Sequence, residues 1–127
     1  MEIGIKNVIE IEVNDDNTAA AMGSGTLAVF ATPAMIALIE ETAWRSVGPY
    51  LEDGQCTVGT KLDVSHLSPT PVGMAVKCET ELVGVDGRCL KFKAEVFDET
   101  GLIGTGTHER FIVYSEKFQT KADGKKG

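Results

Sequence analysis

The sequence predicts a single α+β domain in which one long helix lies across an antiparallel sheet. Apolar residues recur with the helical period of 3.6 over residues 33–47, and with the strand period of two over most of residues 57–114. Asp86-Gly87 and Glu99-Thr100-Gly101 are turn sequences within the second region. At 127 residues the chain is long enough for one domain with a core, which we expect to span residues 1–116.

The segment before the helix contains one expected strand and one ambiguous stretch. Residues 3–13 alternate loosely between apolar and polar residues and predict a first strand, which ends at the turn cluster Asn14–Asn17. Residues 18–31 are small and rich in glycine, so they form either a short strand or a mobile lid. Thr32 is a plausible N-cap and Pro33 suits the first helical position.

Beyond the helix, which should end near Gly48-Pro49, the pattern predicts four strands in an antiparallel meander. These strands are Thr57–His66, Met74–Val85, Arg88–Phe97 and Ile103–Tyr114. The helix can bury its apolar face against one face of this sheet, while the exposed edge and second face favour a homodimer, with a tetramer as the alternative. Residues 117–127 are rich in lysine and poor in apolar residues, which predicts a frayed or disordered tail.

Charge and cysteine content exclude several classes of function. The net charge of −7 disfavours a protein that binds nucleic acid or an anionic membrane, since either would require a basic face. Cys56, Cys78 and Cys89 form no C-x-x-C motif, and with two histidines they do not complete a zinc pattern. We therefore expect reduced thiols in the cytoplasm, no metal and no cofactor.

Glu40 is the first candidate for chemistry, because the helical period places it among apolar residues. Its neighbours on the helical wheel are Ile36, Ala43, Trp44 and Val47. A carboxylate held against an apolar surface has either a raised pKa or a specific partner, and both can serve catalysis. The alternative is that Glu40 lies at the edge of the apolar stripe and reaches water.

His66 is the second candidate, at the end of a predicted strand. Strand alternation places Val58, Thr60, Leu62, Val64 and His66 on one face, which should be the face towards the helix. A histidine and a sheltered carboxylate directed into the same layer form an acid–base combination suited to hydrolysis near neutral pH. The alternative is a histidine at the edge of the core with a satisfied hydrogen bond.

Thr32 is the third candidate, and its separation from Glu40 suggests a dimer. Capping alone would explain a threonine at a helix start, yet the free N–H groups there also suit a carbonyl oxygen that gains negative charge. Eight residues along one helix separate Thr32 from Glu40 by roughly 12 Å, so the two cannot hydrogen-bond within a straight helix. If both serve one site, either the helix start bends or Thr32 of one subunit meets Glu40 of another.

Two further residues are candidates for substrate binding. Gly59 carries no side chain and could let a ligand approach its strand closely. The run Gly104–Arg110 places Gly104, Gly106, His108 and Arg110 on one side of a strand, where Arg110 could bind an anion or form an ordinary ion pair.

Together these residues resemble a known family. The stretch Val29–Glu40 is similar to the start of the long helix in hot-dog-fold thioesterases, in particular those of the fluoroacetyl-CoA thioesterase family. The resemblance extends over residues 29–118, through the segments Pro49–Glu52, Val58–Thr60, Val64–His66, Thr70–Gly73 and Gly104–Arg110.

The resemblance implies a dimeric hot-dog fold, a sheet wrapped around one long helix, that hydrolyses a small acyl-CoA thioester. It implies catalytic roles for Thr32, Glu40 and His66, and places Gly59 and Arg110 at the substrate.

Two features depart from the family. Pro33 offers no N–H to an oxyanion, and residues 14–29 lack the aromatic residues of the fluoroacetyl enzyme's lid. We therefore expect a broader acyl-CoA thioesterase.

The sequence is also compatible with two other functions. The same fold could hold an acyl-CoA without cleaving it, although pure binding does not require an acid–base pair. A hot-dog hydratase or dehydratase would also use a carboxylate and a histidine, but would act on the acyl chain rather than on the thioester.

Overall fold

The computed structural model describes all residues, 1–127, and forms five antiparallel strands and one long helix. The strands are β1 (Lys6–Glu12), β2 (Gln55–His66), β3 (Ala75–Asp86), β4 (Cys89–Asp98) and β5 (Gly101–Tyr114), and the helices are α1 (Ala19–Met22), α2 (Thr32–Val47) and α3 (Ser115–Asp123). Short 3-10 turns cover Gly48–Tyr50 and Gly124–Lys126. This arrangement confirms the α+β class.

The strand order is β1-β3-β4-β5-β2, so only β3, β4 and β5 form a meander. The prediction of a four-strand meander is wrong for β2, which pairs with β5 rather than with β3. The eight residues between β2 and β3 carry the chain across to the other side of the sheet, where β3 pairs with β1. Both β1 and β2 are therefore edge strands.

Helix α2 packs its buried stripe on the sheet, and the core lies between the helix and the sheet. The buried positions of this helix are Ala34, Met35, Leu38, Ile39, Thr42, Ala43, Ser46 and Val47. Glu40 lies at the edge of the stripe with 37% of its side chain exposed. The helical wheel placed this carboxylate further inside than it is, because Ile36 is only half-buried and Trp44 is 44% exposed.

The segment before α2 and the C-terminal segment each contain a further helix. Residues 18–31 contain the short helix α1, followed by isolated bridges between Thr18 and Phe30 and between Val29 and Pro71. The expected frayed tail instead continues from β5 as α3, whose residues are all exposed. None of the helices is both long and apolar enough to cross a membrane.

Candidate functional site

Thr32 and His66 are directly hydrogen-bonded to each other. Thr32 Oγ1 lies 2.7 Å from His66 Nδ1. The helix N-cap is Ala31 rather than Thr32, and no side chain caps the helix. The hydroxyl of Thr32 therefore does not cap the helix, which was one of its two expected roles, but bonds to the imidazole at the end of β2.

The Thr32–His66 pair lines a pocket of about 280 Å³. The remaining walls come from the α1 segment and the loop after β2: Ala19, Ser24, Val29, Phe30, Leu67, Ser68 and Pro69. Nε2 of His66 is buried without a hydrogen-bond partner. Burial lowers the pKa of His66 below its usual value near 6.5, an effect that the Ser68 backbone opposes. The ring is therefore neutral at pH 7 and can accept a proton.

Glu40 has a specific partner, which is Arg110 rather than a histidine of the same chain. Nη1 of Arg110 donates to Glu40 Oε2 at 3.3 Å. The Arg110 side chain is only 6% exposed. Since breaking a buried ion pair leaves an uncompensated charge, Arg110 fixes the position of the Glu40 carboxylate strongly.

Arg110 is itself held by two residues that sequence analysis did not select. Its Nε donates to Thr57 Oγ1 at 2.7 Å, and its Nη2 donates to the Thr57 carbonyl at 2.9 Å. Nη1 also lies 3.1 Å from His108 Nε2. Four of the five guanidinium N–H groups are thus directed at protein groups, and through one of them Arg110 holds Glu40; direct contact of Arg110 with substrate stays a prediction.

His108 completes the network as a neutral acceptor. It is 1% exposed, and its Nδ1 lies 2.8 Å from the Lys61 carbonyl. Because arginine can only donate, Nε2 accepts from Arg110 and Nδ1–H donates to Lys61. The sequence contained a pattern that could have identified His108, since strand alternation in Gly104–Arg110 places His108 on the same face as Arg110.

Gly59 provides the space that the Glu40 carboxylate occupies. A Cβ atom at this position would lie 2.7 Å from Glu40 Oε2 and 3.3 Å from His108 Cε1. A β-bulge between Gly59 and Lys61 shifts the register against β5. The bulge reverses the alternation, so Gly59 and Thr57 face the helix and the predicted facing of Val58 is wrong.

Acidification below about pH 6.5 should destabilise the fold through His108. Burial lowers the pKa of His108, the Lys61 carbonyl opposes the shift and the Arg110 charge adds to it. The unfolded chain therefore takes up this proton first, and the free energy of unfolding falls as the pH drops from about 6.5 towards the folded-state pKa. Urea unfolding between about pH 7.5 and 5 measures this slope.

A His108→Gln variant is the control for this prediction, since its amide oxygen can still accept from Arg110. We expect a smaller slope in the variant, with the remainder coming from His66. An identical slope in wild type and variant would contradict the assignment to His108.

The five sequence-selected residues thus form two groups on one chain. Thr32 and His66 meet at the start of α2, whereas Glu40, Gly59 and Arg110 meet in its middle. Eight residues of helix place the groups roughly 12 Å apart along the axis. The arrangement supplies a neutral imidazole beside a pocket and, separately, an oriented carboxylate.

Comparison with known proteins assigns the family. The model of the family described as fluoroacetyl-CoA-specific thioesterase, FlK, matches residues 13–116. The fluoroacetyl-CoA thioesterase of Streptantibioticus cattleyicolor is 42% identical over 93 residues, which are 73% of this chain and 67% of that protein.

Solved structures agree with this assignment. The structure of the fluoroacetyl-CoA thioesterase FlK superposes with a TM-score of 0.94 at 34% identity, over 98% of this chain and 97% of that chain. A threonine-to-serine variant of FlK in complex with acetyl-CoA gives a TM-score of 0.95 at 32% identity, over the whole of both chains. A Thermus thermophilus member of the thioesterase superfamily gives 0.90 at 26% identity, over 98% and 93%.

These likenesses confirm the hot-dog fold and the family that the sequence motifs suggested. The family match covers most of the chain, including every residue of the two groups described above. The chain belongs to the fluoroacetyl-CoA-specific thioesterase family and is an acyl-CoA thioesterase.

Proposed function

We propose that the protein hydrolyses small acyl-CoA thioesters at sites shared between two subunits of a homodimer. Each site combines Thr32 and His66 of one subunit with Glu40 of the partner subunit. The observation that carries the proposal is the Thr32–His66 hydrogen bond beside a pocket, in a chain whose oriented carboxylate lies elsewhere on the same helix.

The exposed surface around Glu40 supports the dimer. Strand β2 is a 12-residue edge strand, and an unpaired edge of this length readily pairs with another chain. Beside it, Trp44 is 44% exposed and Leu62 is 36% exposed. A second copy on this face would cover the edge and these apolar side chains, and would enclose the half-exposed Glu40.

The chemistry requires one nucleophile, one proton donor and a good leaving group. A thioester carbonyl is attacked either by water that Glu40 deprotonates or by the Glu40 carboxylate itself, and both routes remain open. The C–S bond then breaks, and the departing CoA thiolate takes up a proton. His66 transfers protons at this step, while the Thr32 hydroxyl orients the imidazole or the carbonyl. On the second route, water then hydrolyses the mixed anhydride that forms on Glu40.

The pocket favours a short acyl group. Its volume of about 280 Å³ lies just below the usual range for small-molecule sites. Phe30 is the aromatic residue in its wall.

We propose the cytoplasm as the location, since all three cysteines are free.

The direct test is release of free thiol from a panel of acetyl-, fluoroacetyl- and butyryl-CoA, read with a thiol-reactive dye. Thiol release supports hydrolysis, and the panel ranks the acyl groups. Binding without thiol release would favour the acyl-CoA-binding module. Loss of the ultraviolet absorbance of an enoyl-CoA without free thiol would favour the hydratase.

Subunit complementation tests the shared site. Glu40→Gln and His66→Ala chains should each be inactive alone, but a mixed dimer contains one complete site, made by His66 of the first chain and Glu40 of the second. Random assembly of equal amounts gives half mixed dimers with one of two sites intact, hence about a quarter of wild-type activity. Separate tags on the two chains allow the mixed dimer to be purified and assayed.

The matched control mixes Glu40→Gln chains with Glu40→Gln chains carrying the other tag, which should remain inactive. No recovery in the purified mixed dimer would mean that each site lies within one chain.

A further inference from the structure

A basic and aromatic pocket lies at the opposite end of the sheet from His66. Tyr114 at the end of β5 pairs with Gln55 at the start of β2, eleven residues before His66. The pocket here has a volume of about 270 Å³. Its walls come from the β3–β4 hairpin, the end of β5 and helix α3: Arg88, Val113, Tyr114, Lys117, Phe118 and Lys121.

The cations of this pocket have no acidic partner. The five ion pairs of the structure use other cations: Arg45, Lys61, Lys77, Lys93 and Arg110. No aspartate or glutamate lines the pocket, although the chain has a net charge of −7. Three uncompensated positive charges around one small cavity provide a local site for a multiply charged anion.

The aromatic side chains of the pocket suit a nucleobase. Tyr114 is 42% exposed and Phe118 is 45% exposed. The Arg88 guanidinium lies 5.5 Å from the centroid of the Tyr114 ring. Exposed aromatic faces and arginine planes stack with purine rings, while lysines contact phosphates as point charges.

We propose that this pocket binds the 3′-phosphorylated ADP group of the acyl-CoA substrate, an inference that rests on the function proposed above. Tyr114 and Phe118 contact the adenine, and Arg88, Lys117 and Lys121 contact the phosphates. The subunit whose pocket holds the nucleotide also supplies Glu40 to the thioester. Arg110, which contacts Glu40, lies four residues before Tyr114 on the same strand, a distance of roughly 13 Å. The extended pantetheine arm of CoA is longer than this distance.

Removal of two pocket charges tests the proposal. The double variant Lys117→Ala/Lys121→Ala is compared with Lys125→Ala/Lys126→Ala, which loses the same charge from the same C-terminal segment but outside the pocket. The probe is adenosine 3′,5′-bisphosphate, with its Kd measured by calorimetry. The kinetic substrates are acetyl-CoA and acetyl-pantetheine, which has the same thioester but no nucleotide.

The pocket variant should raise the Kd of the bisphosphate and the KM for acetyl-CoA by about tenfold or more, because charge-assisted contacts to phosphate are lost. The control should change both by less than about twofold. On acetyl-pantetheine, kcat/KM of the pocket variant should equal that of wild type, because this substrate does not reach the pocket.

Equal effects in the two double variants, or no effect in either, would overturn the pocket assignment. An equal loss on acetyl-CoA and acetyl-pantetheine would also overturn it, since the variant would then disturb the catalytic site. Failure of the wild type to release thiol from either substrate would reject the proposed hydrolase. In that case the bisphosphate Kd of the two variants still decides whether the pocket binds the nucleotide.

Discussion

Glu40→Gln should lower kcat for a short acyl-CoA by roughly 10²- to 10⁴-fold while the protein stays folded. The glutamine has nearly the same shape, and its amide oxygen can still accept from Arg110, which lies 3.3 Å away in wild type. It cannot take a proton from water or attack a carbonyl. Thiol release gives the rate, and a thermal melt gives the stability.

Glu41→Gln is the matched control, since it makes the same change one residue away. Glu41 pairs with Arg45 at 2.8 Å on the exposed side of the helix. An exposed pair of this kind contributes little to stability and none of the proposed chemistry. Turnover in Glu40→Gln equal to that of Glu41→Gln would remove the carboxylate from the mechanism.

Gly59→Ala should lower activity about 100-fold without changing any reacting group. The new Cβ would lie 2.7 Å from Glu40 Oε2, closer than van der Waals contact allows. The obstructed atom is the end of a flexible side chain, so the carboxylate moves away while β2 keeps its register. A displacement of about 1 Å in a catalytic group can cost roughly 10²-fold in rate.

Gly48→Ala is the control for this substitution, because a Cβ there meets nothing within 4 Å and Gly48 already has helical backbone angles. Both variants should stay folded, Gly59→Ala with some loss of stability because the buried Arg110 loses part of its contact with Glu40, and activity should fall only in Gly59→Ala. Full activity in a folded Gly59→Ala protein would show that the site tolerates a displaced Glu40.

The local patterns of the sequence predicted most elements to within two residues. The helix was expected from residue 33 to 47 and spans Thr32–Val47, and the four later strands start or end within two residues of their predicted bounds. These patterns succeed because the period of apolar residues reports which face of one element is buried. They do not report which strands pair, and the position of β2 beside β5 was therefore missed.

A single bulge explains the error in the facing of β2. Strict alternation placed Val58 towards the helix, but the register shift between Gly59 and Lys61 exchanges the two faces for the residues that precede the bulge. A bulge adds one residue to one strand and leaves little trace in composition. The side chain of Thr57, which holds Arg110, was overlooked for this reason.

By itself, the sequence determined the α+β class, the family resemblance and the selection of Thr32, Glu40 and His66 as candidates. The tertiary structure decided their partners: Thr32 with His66, 34 residues away, and Glu40 with Arg110, 70 residues away. It also revealed His108 and Thr57 behind Arg110. Periodicity fixes the side of an element on which a residue lies, whereas hydrogen bonds between distant residues depend on how the elements pack.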